Sequence, residues 1–312
     1  MRIVYFGSPA ISADLLKALL ADGRHEVVCV VSNVDKPRGR SKKLHPTAVS
    51  AVALEYGLPL YRFEKLSRND AAVESLAGFQ ADLFVVFAYG HWIPGRIFDL
   101  PPMRTINLHA SLLPLLRGAS PIQSALWNGF STTGWSIQFV GREMDAGDVL
   151  SECRLPVDPN VTAAELTEQM LPAGIQLMVD TLAEFETLAP TAKAQRHELA
   201  THCSKIQTSD TWLDWDRPAV ELHNQIRALN PAPGARTVLE GDELKIWRTQ
   251  LVPAGEWGPE WREQPPGTFG PGLSKKHLFV RTGDGLLAVL ELQPRGRKQL
   301  TAQDFLNGYR AG

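Results

Sequence analysis

The chain has 312 residues, of which 44% are hydrophobic and 21% charged, with a formal net charge of −2. These are globular values, and the length allows two domains that each bury a core without disulfide or metal staples. They exclude a disordered chain, and they confine any nucleic-acid contact to local basic clusters, because no global basic field exists.

The N-terminus, MRIVYFGSPA, is not built like a secretion signal, and runs such as LFVVFAYG are too short to span a bilayer. Cys29, Cys153 and Cys203 form no close pair, which points to a reducing compartment, so a soluble cytoplasmic protein is expected. RIVYF (2–6) predicts a strand closed by Gly7, and SADLLKALLADG (12–23) a helix with Ser12 as N-cap and Gly23 as stop. EVVCVVSN (26–33), DLFVVFAY (82–89) and RTINLHA (104–110) predict further strands, apolar on both faces. Such strands alternating with helices imply an α/β fold with a buried, Rossmann-like parallel sheet. The first turn, FGSPAISADLL, has one glycine where a dinucleotide fingerprint needs three. A hydride-transfer enzyme is therefore disfavoured, and a ligand is expected at the carboxyl ends of the later strands. SIQFV (136–140) is one more strand, followed by the polar loop GREMDAGD, and 163–186 predicts a helix kinked or broken at Pro172.

The pattern changes near residue 190. A linker is expected over 190–205, separating a domain at 1–189 from one at 206–312. The second domain holds one amphipathic helix (219–229) and short strands, with hairpin turns at Gly241-Asp242 and Asp284-Gly285. It reads as a small, OB-like β-barrel. Trp257 and Trp261 are expected to pack on it. The histidines outside the 107–109 stretch form no metal-ligand pattern.

The chemistry concentrates in INLHASLLPLLRGASPIQ (106–123). Asn107 and His109 stand two apart, so both leave one face of a strand where it ends. A carboxamide can donate to an oxygen gaining charge, and an imidazole can move a proton near neutral pH. Asp145 in the MDAGD loop is a candidate to orient and charge the imidazole. On spacing alone, a satisfied structural pair is the better account of Asn107 and His109, and an ordinary turn aspartate accounts for Asp145.

The longer pattern is more specific. INLHASLLPLLRGASPIQ followed by TGWSIQFVGREMDAGDVL resembles the formyltransferase family that uses 10-formyltetrahydrofolate. VDKPRGRSKKLHPTAV (34–49), ADLFVVFAYGHWIP (81–94), KIQTSDTWLDW (205–215), QIRALNPAPG (225–234) and residues 282–308 resemble the branch that acts on methionyl-tRNA. The resemblance covers nearly the whole chain. It implies formyl transfer from 10-formyltetrahydrofolate to the α-amino group of methionyl initiator tRNA, with no metal and no acyl-enzyme. It implies Asn107, His109 and Asp145 as the catalytic trio. It places the folate against Phe87, Ala88, Tyr89, Gly90, Ser111, Leu112, Leu113, Pro114 and Gly141. It assigns the tRNA to the basic loop, through Lys36, Arg38, Arg40, Lys42 and Lys43, to Arg117, and to the C-terminal barrel. Leu115 and Leu116 depart from the family's basic and aromatic residues, leaving Arg117 as that loop's cation. A monomer is expected.

Overall fold

The computed structural model describes residues 1–37, 44–272 and 277–309. They gather into two compact units, neither continuous in sequence. The first comprises Met1–Ala119, Gly134–Leu155 and Met170–Cys203; the second comprises Ser120–Thr133, Pro156–Gln169 and Ser204–Gly312. Among the described residues no helix is long and apolar enough to cross a membrane.

The first unit is built on β1 (Arg2–Gly7), α1 (Ala10–Asp22), β2 (Glu26–Ser32), α2 (Ala48–Glu55), β3 (Leu60–Arg62), α3 (Asp70–Ala77), β4 (Leu83–Phe87) and β5 (Thr105–His109). The residues of β1, β2 and β4 are mostly β-branched or aromatic and, beyond the first residue of β1 and of β2, buried on both faces, as helix-covered parallel strands must be. Gly23 ends α1 in the left-handed conformation (φ 66°), as its position predicts. Ser12 is not the N-cap: the helix starts earlier, at Ala10 after Pro9, and Ser12 is buried inside it, 2.8 Å from the Tyr5 hydroxyl.

Two later strands, β6 (Thr132–Phe139) and β7 (Val149–Pro156), complete a seven-stranded sheet in the order β7-β6-β5-β4-β1-β2-β3. Strands β1 to β5 pair in parallel, while β6 runs antiparallel to β5. The order turns over where β1 sits between β2 and β4, which is where an open α/β sheet forms its ligand crevice. A helix, α4 (Pro121–Trp127), precedes β6, and α5 (Ala163–Ala183) follows β7. Of the kink or break expected at Pro172, the break is absent. Helix α5 is continuous, with Leu166, Met170, Met178 and Leu182 buried along one helical stripe.

The second unit holds α6 (Ala219–Ala228), β8 (Ala235–Leu239), β9 (Asp242–Val252), β10 (Phe269–Pro271), β11 (Leu278–Arg281), β12 (Leu286–Pro294), β13 (Leu300–Thr301) and α7 (Ala302–Tyr309). Its strands form an antiparallel sheet ordered β8-β9-β12-β11-β10, with β13 beside β12, curled as a half-barrel. The first hairpin turns at Glu240-Gly241, one residue before the predicted pair. Both have positive φ (52° and 90°), which a two-residue hairpin turn demands. Leu222, Ile226, Leu244, Ile246, Val280, Leu287 and Val289 form its core. Trp261 is buried on this sheet against Phe279, Leu286 and Ala288, as expected.

Candidate active site

The site is carried by the carboxyl ends of β4 and β5, the loop after β6, and the 190–203 segment. Asn107 on β5 lies opposite Gln138 on β6, and His109 lies opposite Ser136. Directly opposed residues share a sheet face, so these four side chains project to one side. The carboxamide of Asn107 is half-buried and makes no hydrogen bond among the described residues. A satisfied structural pair, one of the two sequence readings, is therefore not what β5 carries.

His109 is 5% exposed and has an acceptor at each ring nitrogen. Nε2 lies 2.9 Å from the Leu116 carbonyl oxygen, and Nδ1 lies 3.6 Å from Asp145 Oδ2. The second distance is ion-pair reach rather than a hydrogen bond. A ring carrying protons on both nitrogens satisfies both neighbours at once.

Asp145 is fixed more firmly than its place in a polar loop suggests. Its Oδ2 accepts the Gly118 N–H at 2.9 Å and its Oδ1 accepts Gln138 Nε2 at 2.9 Å. Its φ is +52°, a conformation that aspartate tolerates better than most residues. Gly147 lets this loop close on β6, because a Cβ there would stand 1.9 Å from the Phe139 carbonyl oxygen. Gly118 meets the same condition on the other side: its φ is +124°, and a Cβ would stand 2.1 Å from the Cys203 carbonyl oxygen.

The segment read as a linker is part of this site up to Cys203. His202–Cys203 pairs in parallel with Arg117–Gly118, and Lys193 bridges to Val149. Thr201 receives the Leu116 N–H on its hydroxyl (2.9 Å) and the Arg117 N–H on its carbonyl (2.9 Å). These bonds aim the Leu116 carbonyl at His109 and the Gly118 N–H at Asp145.

The remaining predicted residues divide. Just past the end of β4, the exposed Ala88 and Gly90 alternate with the buried Phe87 and Tyr89. Asn33 Nδ2 (3.0 Å) and the Ser8 hydroxyl (3.5 Å) hold the Tyr89 carbonyl between them. Burial pushes the Tyr89 hydroxyl, which has no hydrogen-bond partner among the described residues, up to about 12. Gly141 has open space where a Cβ would go. Leu112 and Pro114 are half-buried. Ser111 and Leu113 are both buried, and the Ser111 hydroxyl donates to the Leu115 carbonyl at 2.6 Å. The Ser136 hydroxyl donates to the Ser111 carbonyl and accepts the Leu113 N–H. These bonds tie the loop to β6.

Arg117 is a correction. It is 4% exposed, and its Nε and Nη2 donate to Gln195 Oε1 at 3.1 and 2.6 Å, so it is no surface cation for phosphate. Lys36 is exposed on a two-residue ladder with Leu44–His45. Arg38, Arg40, Lys42 and Lys43 lie outside the described residues. Sequence reasoning missed Gln138, Gln195, Asn33 and Ser8. Only Gln138 carried a signal, in the alternation of Ser136 and Gln138 along SIQFV.

Residues 1–182 match the formyl transferase family and residues 205–310 match the formyl transferase C-terminal domain. The chain belongs to the formyltransferase family. It is 41% identical to a methionyl-tRNA formyltransferase of Leptospira interrogans, over 99% of this chain and 98% of that protein. It is also 41% identical to the methionyl-tRNA formyltransferase of Symbiobacterium thermophilum, over 99% of this chain and 92% of that one. In fold it is similar to an N-formyltransferase from Helicobacter canadensis, solved with folinic acid and dTDP-3-aminofucose. That likeness has a TM-score of 0.67 at 14% identity and covers 94% of this chain and 98% of that one.

Proposed function

We propose that this protein transfers the formyl group of 10-formyltetrahydrofolate to the α-amino group of methionyl initiator tRNA, in the cytoplasm. The observation that carries this reading is the 41% identity to methionyl-tRNA formyltransferases, sustained over both family segments and 99% of the chain.

In this reaction the methionyl amine attacks the formyl carbon. A carbon–nitrogen bond forms to the amine, the bond to N10 of the folate breaks, and one proton passes from the amine to the departing N10. The tetrahedral intermediate carries a developing oxyanion. The unpaired Asn107 carboxamide donates to that oxygen. His109, enclosed by the Leu116 carbonyl and Asp145, contributes positive charge beside it. To carry a proton directly, the ring must let go of the Leu116 carbonyl. Asp145 keeps the imidazole oriented. The exposed Ala88 and Gly90 and the open flank at Gly141 suit a flat heterocycle read by main-chain groups. The exposed Lys36 and the basic residues that follow it supply phosphate contacts for the acceptor stem.

The test is transfer of labelled formyl from 10-formyltetrahydrofolate to methionyl initiator tRNA, methionyl elongator tRNA and an amino-sugar nucleotide. Transfer to the initiator tRNA is expected, reduced roughly 10²–10³-fold in Asn107→Ala, the cost of one lost oxyanion donor. Transfer to the amino sugar alone would overturn the acceptor and leave the chemistry standing.

A further inference from the structure

Asp145 orients His109, and a second set of side chains orients Asp145. Gln195 comes from the segment read as a linker and is 7% exposed; Gln138 is 2% exposed. Arg117 donates twice to Gln195 Oε1. Gln195 Nε2 lies 3.2 Å from Gln138 Oε1, 2.9 Å from the Asp145 carbonyl oxygen and 2.7 Å from the Gly147 carbonyl oxygen. Gln138 Nε2 then donates to Asp145 Oδ1 at 2.9 Å.

The direction of this chain is forced from both ends. A guanidinium has only N–H donors, so Gln195 must present its oxygen to Arg117 and its nitrogen to the two carbonyls. Gln138 must then present its oxygen to Gln195 and its nitrogen to the carboxylate, which accepts only. Every bond points from the buried cation towards the buried anion. This also accounts for the burial of Arg117, whose side chain has no ion-pair partner among the described residues and one further contact, His197 Nδ1 at 3.3 Å. With any other group on its oxygen, the Gln195 amide could flip and set that oxygen against three acceptors.

We propose that Gln195, oriented by Arg117, is a positioning residue of this active site that fixes both the carboxylate and the left-handed backbone of Asp145 for work on His109. This rests on the reading of Asp145 and His109 as parts of the formyl-transfer machinery. A change at Gln195 should therefore act only through Asp145. A purely architectural residue would lower activity in any background.

The experiment is a double-mutant cycle on the full chain, reading kcat, both KM values and thermal unfolding for Gln195→Met, Asp145→Asn and the pair. Gln195→Met should lower kcat about 10–100-fold, the cost of displacing a catalytic group by about an ångström, with both KM values within about twofold. In the Asp145→Asn background the same change should lower kcat no more than about twofold further. Gln138→Met cuts the chain one link nearer the carboxylate and must give the same split, which keeps the test open if Gln195→Met does not fold. Equal losses in both backgrounds would overturn the proposal, as would a raised KM at unchanged kcat. Wild-type kcat in Asp145→Asn would remove the reading beneath it, and the two failures are thus distinguishable.

Discussion

At the scale of single residues, the site depends on positions where nothing but hydrogen fits. The Gly147 carbonyl accepts from Gln195, and its α-carbon faces the Phe139 carbonyl so closely that a methyl group has no room. Gly147→Ala must move either the loop or the strand end, and the loop carries Asp145 two residues away. We expect a folded variant whose formyl transfer falls about 10²-fold, the penalty of a displacement near an ångström. Circular dichroism beside steady-state kinetics checks it, and wild-type kcat would show that the loop adjusts freely. The grouping of Asn107, His109 and Asp145 in space was legible because two of them alternate on one strand and the third follows at a family-specific distance. Gln195 was not, because nothing local distinguishes a glutamine in an Ala-rich stretch from a solvated one. Arg117 was misread for the related reason that burial of a cation is decided by a partner 78 residues away.

At the scale of elements, α5 shows how much of the architecture rests on short-range hydrogen bonding. Thr162 and Glu165 form a capping box: the Thr162 hydroxyl accepts the Glu165 N–H, and the Glu165 carboxylate accepts the Thr162 N–H at 2.9 Å. The same carboxylate pairs with Arg248 on β9. The Arg248 hydrogen bond, then the Thr162 backbone, hold the Glu165 carboxyl down to about 2. A depressed carboxylate contributes stability that is full above its unfolded value of 4.5 and is lost as pH falls towards 2. The pair is partly solvated, so its contribution is about 1 kcal/mol at most. Glu165→Gln should flatten the fall in urea midpoint between pH 4.5 and pH 2, and Thr162→Ala should cost about 1 kcal/mol at neutral pH. An unchanged acid slope in Glu165→Gln would show that the ion pair is not made in solution. The box was present in the sequence as T-x-x-E, whereas the partner from β9 was not, because it comes from 83 residues further on. The unbroken passage through Pro172 has the same origin: local propensity argued for a kink or a break, and burial of the apolar stripe on both sides kept the helix continuous.

At the scale of the whole molecule, the alternation of strands and helices was readable, but several elements between them and the boundaries of the compact units were not. Local periodicity records what each segment becomes, and the second unit takes Ser120–Thr133 and Pro156–Gln169 from the first half of the chain. One consequence is a buried titratable group at a junction of distant segments within that unit. His223 on α6 has Nε2 3.0 Å from the Pro159 carbonyl oxygen and Nδ1 3.0 Å from the Thr249 hydroxyl. This suits a neutral ring that donates from Nε2 and accepts at Nδ1. Burial pushes His223 below its ordinary value of 6.5, and the nearby Arg227 charge adds to that. The unfolded chain then binds a proton at mildly acid pH that the folded unit refuses. Stability is fully present above pH 6.5 and is lost as pH falls from there through the folded value. Amide hydrogen exchange in β9 and β12, corrected for its intrinsic pH dependence, should therefore show protection falling between pH 7 and pH 5. In His223→Gln, which cannot titrate, that slope should shrink whatever the absolute stability of the variant. An equal slope in both proteins would mean that other groups set the acid sensitivity and that the ring is protonated in the folded unit without penalty.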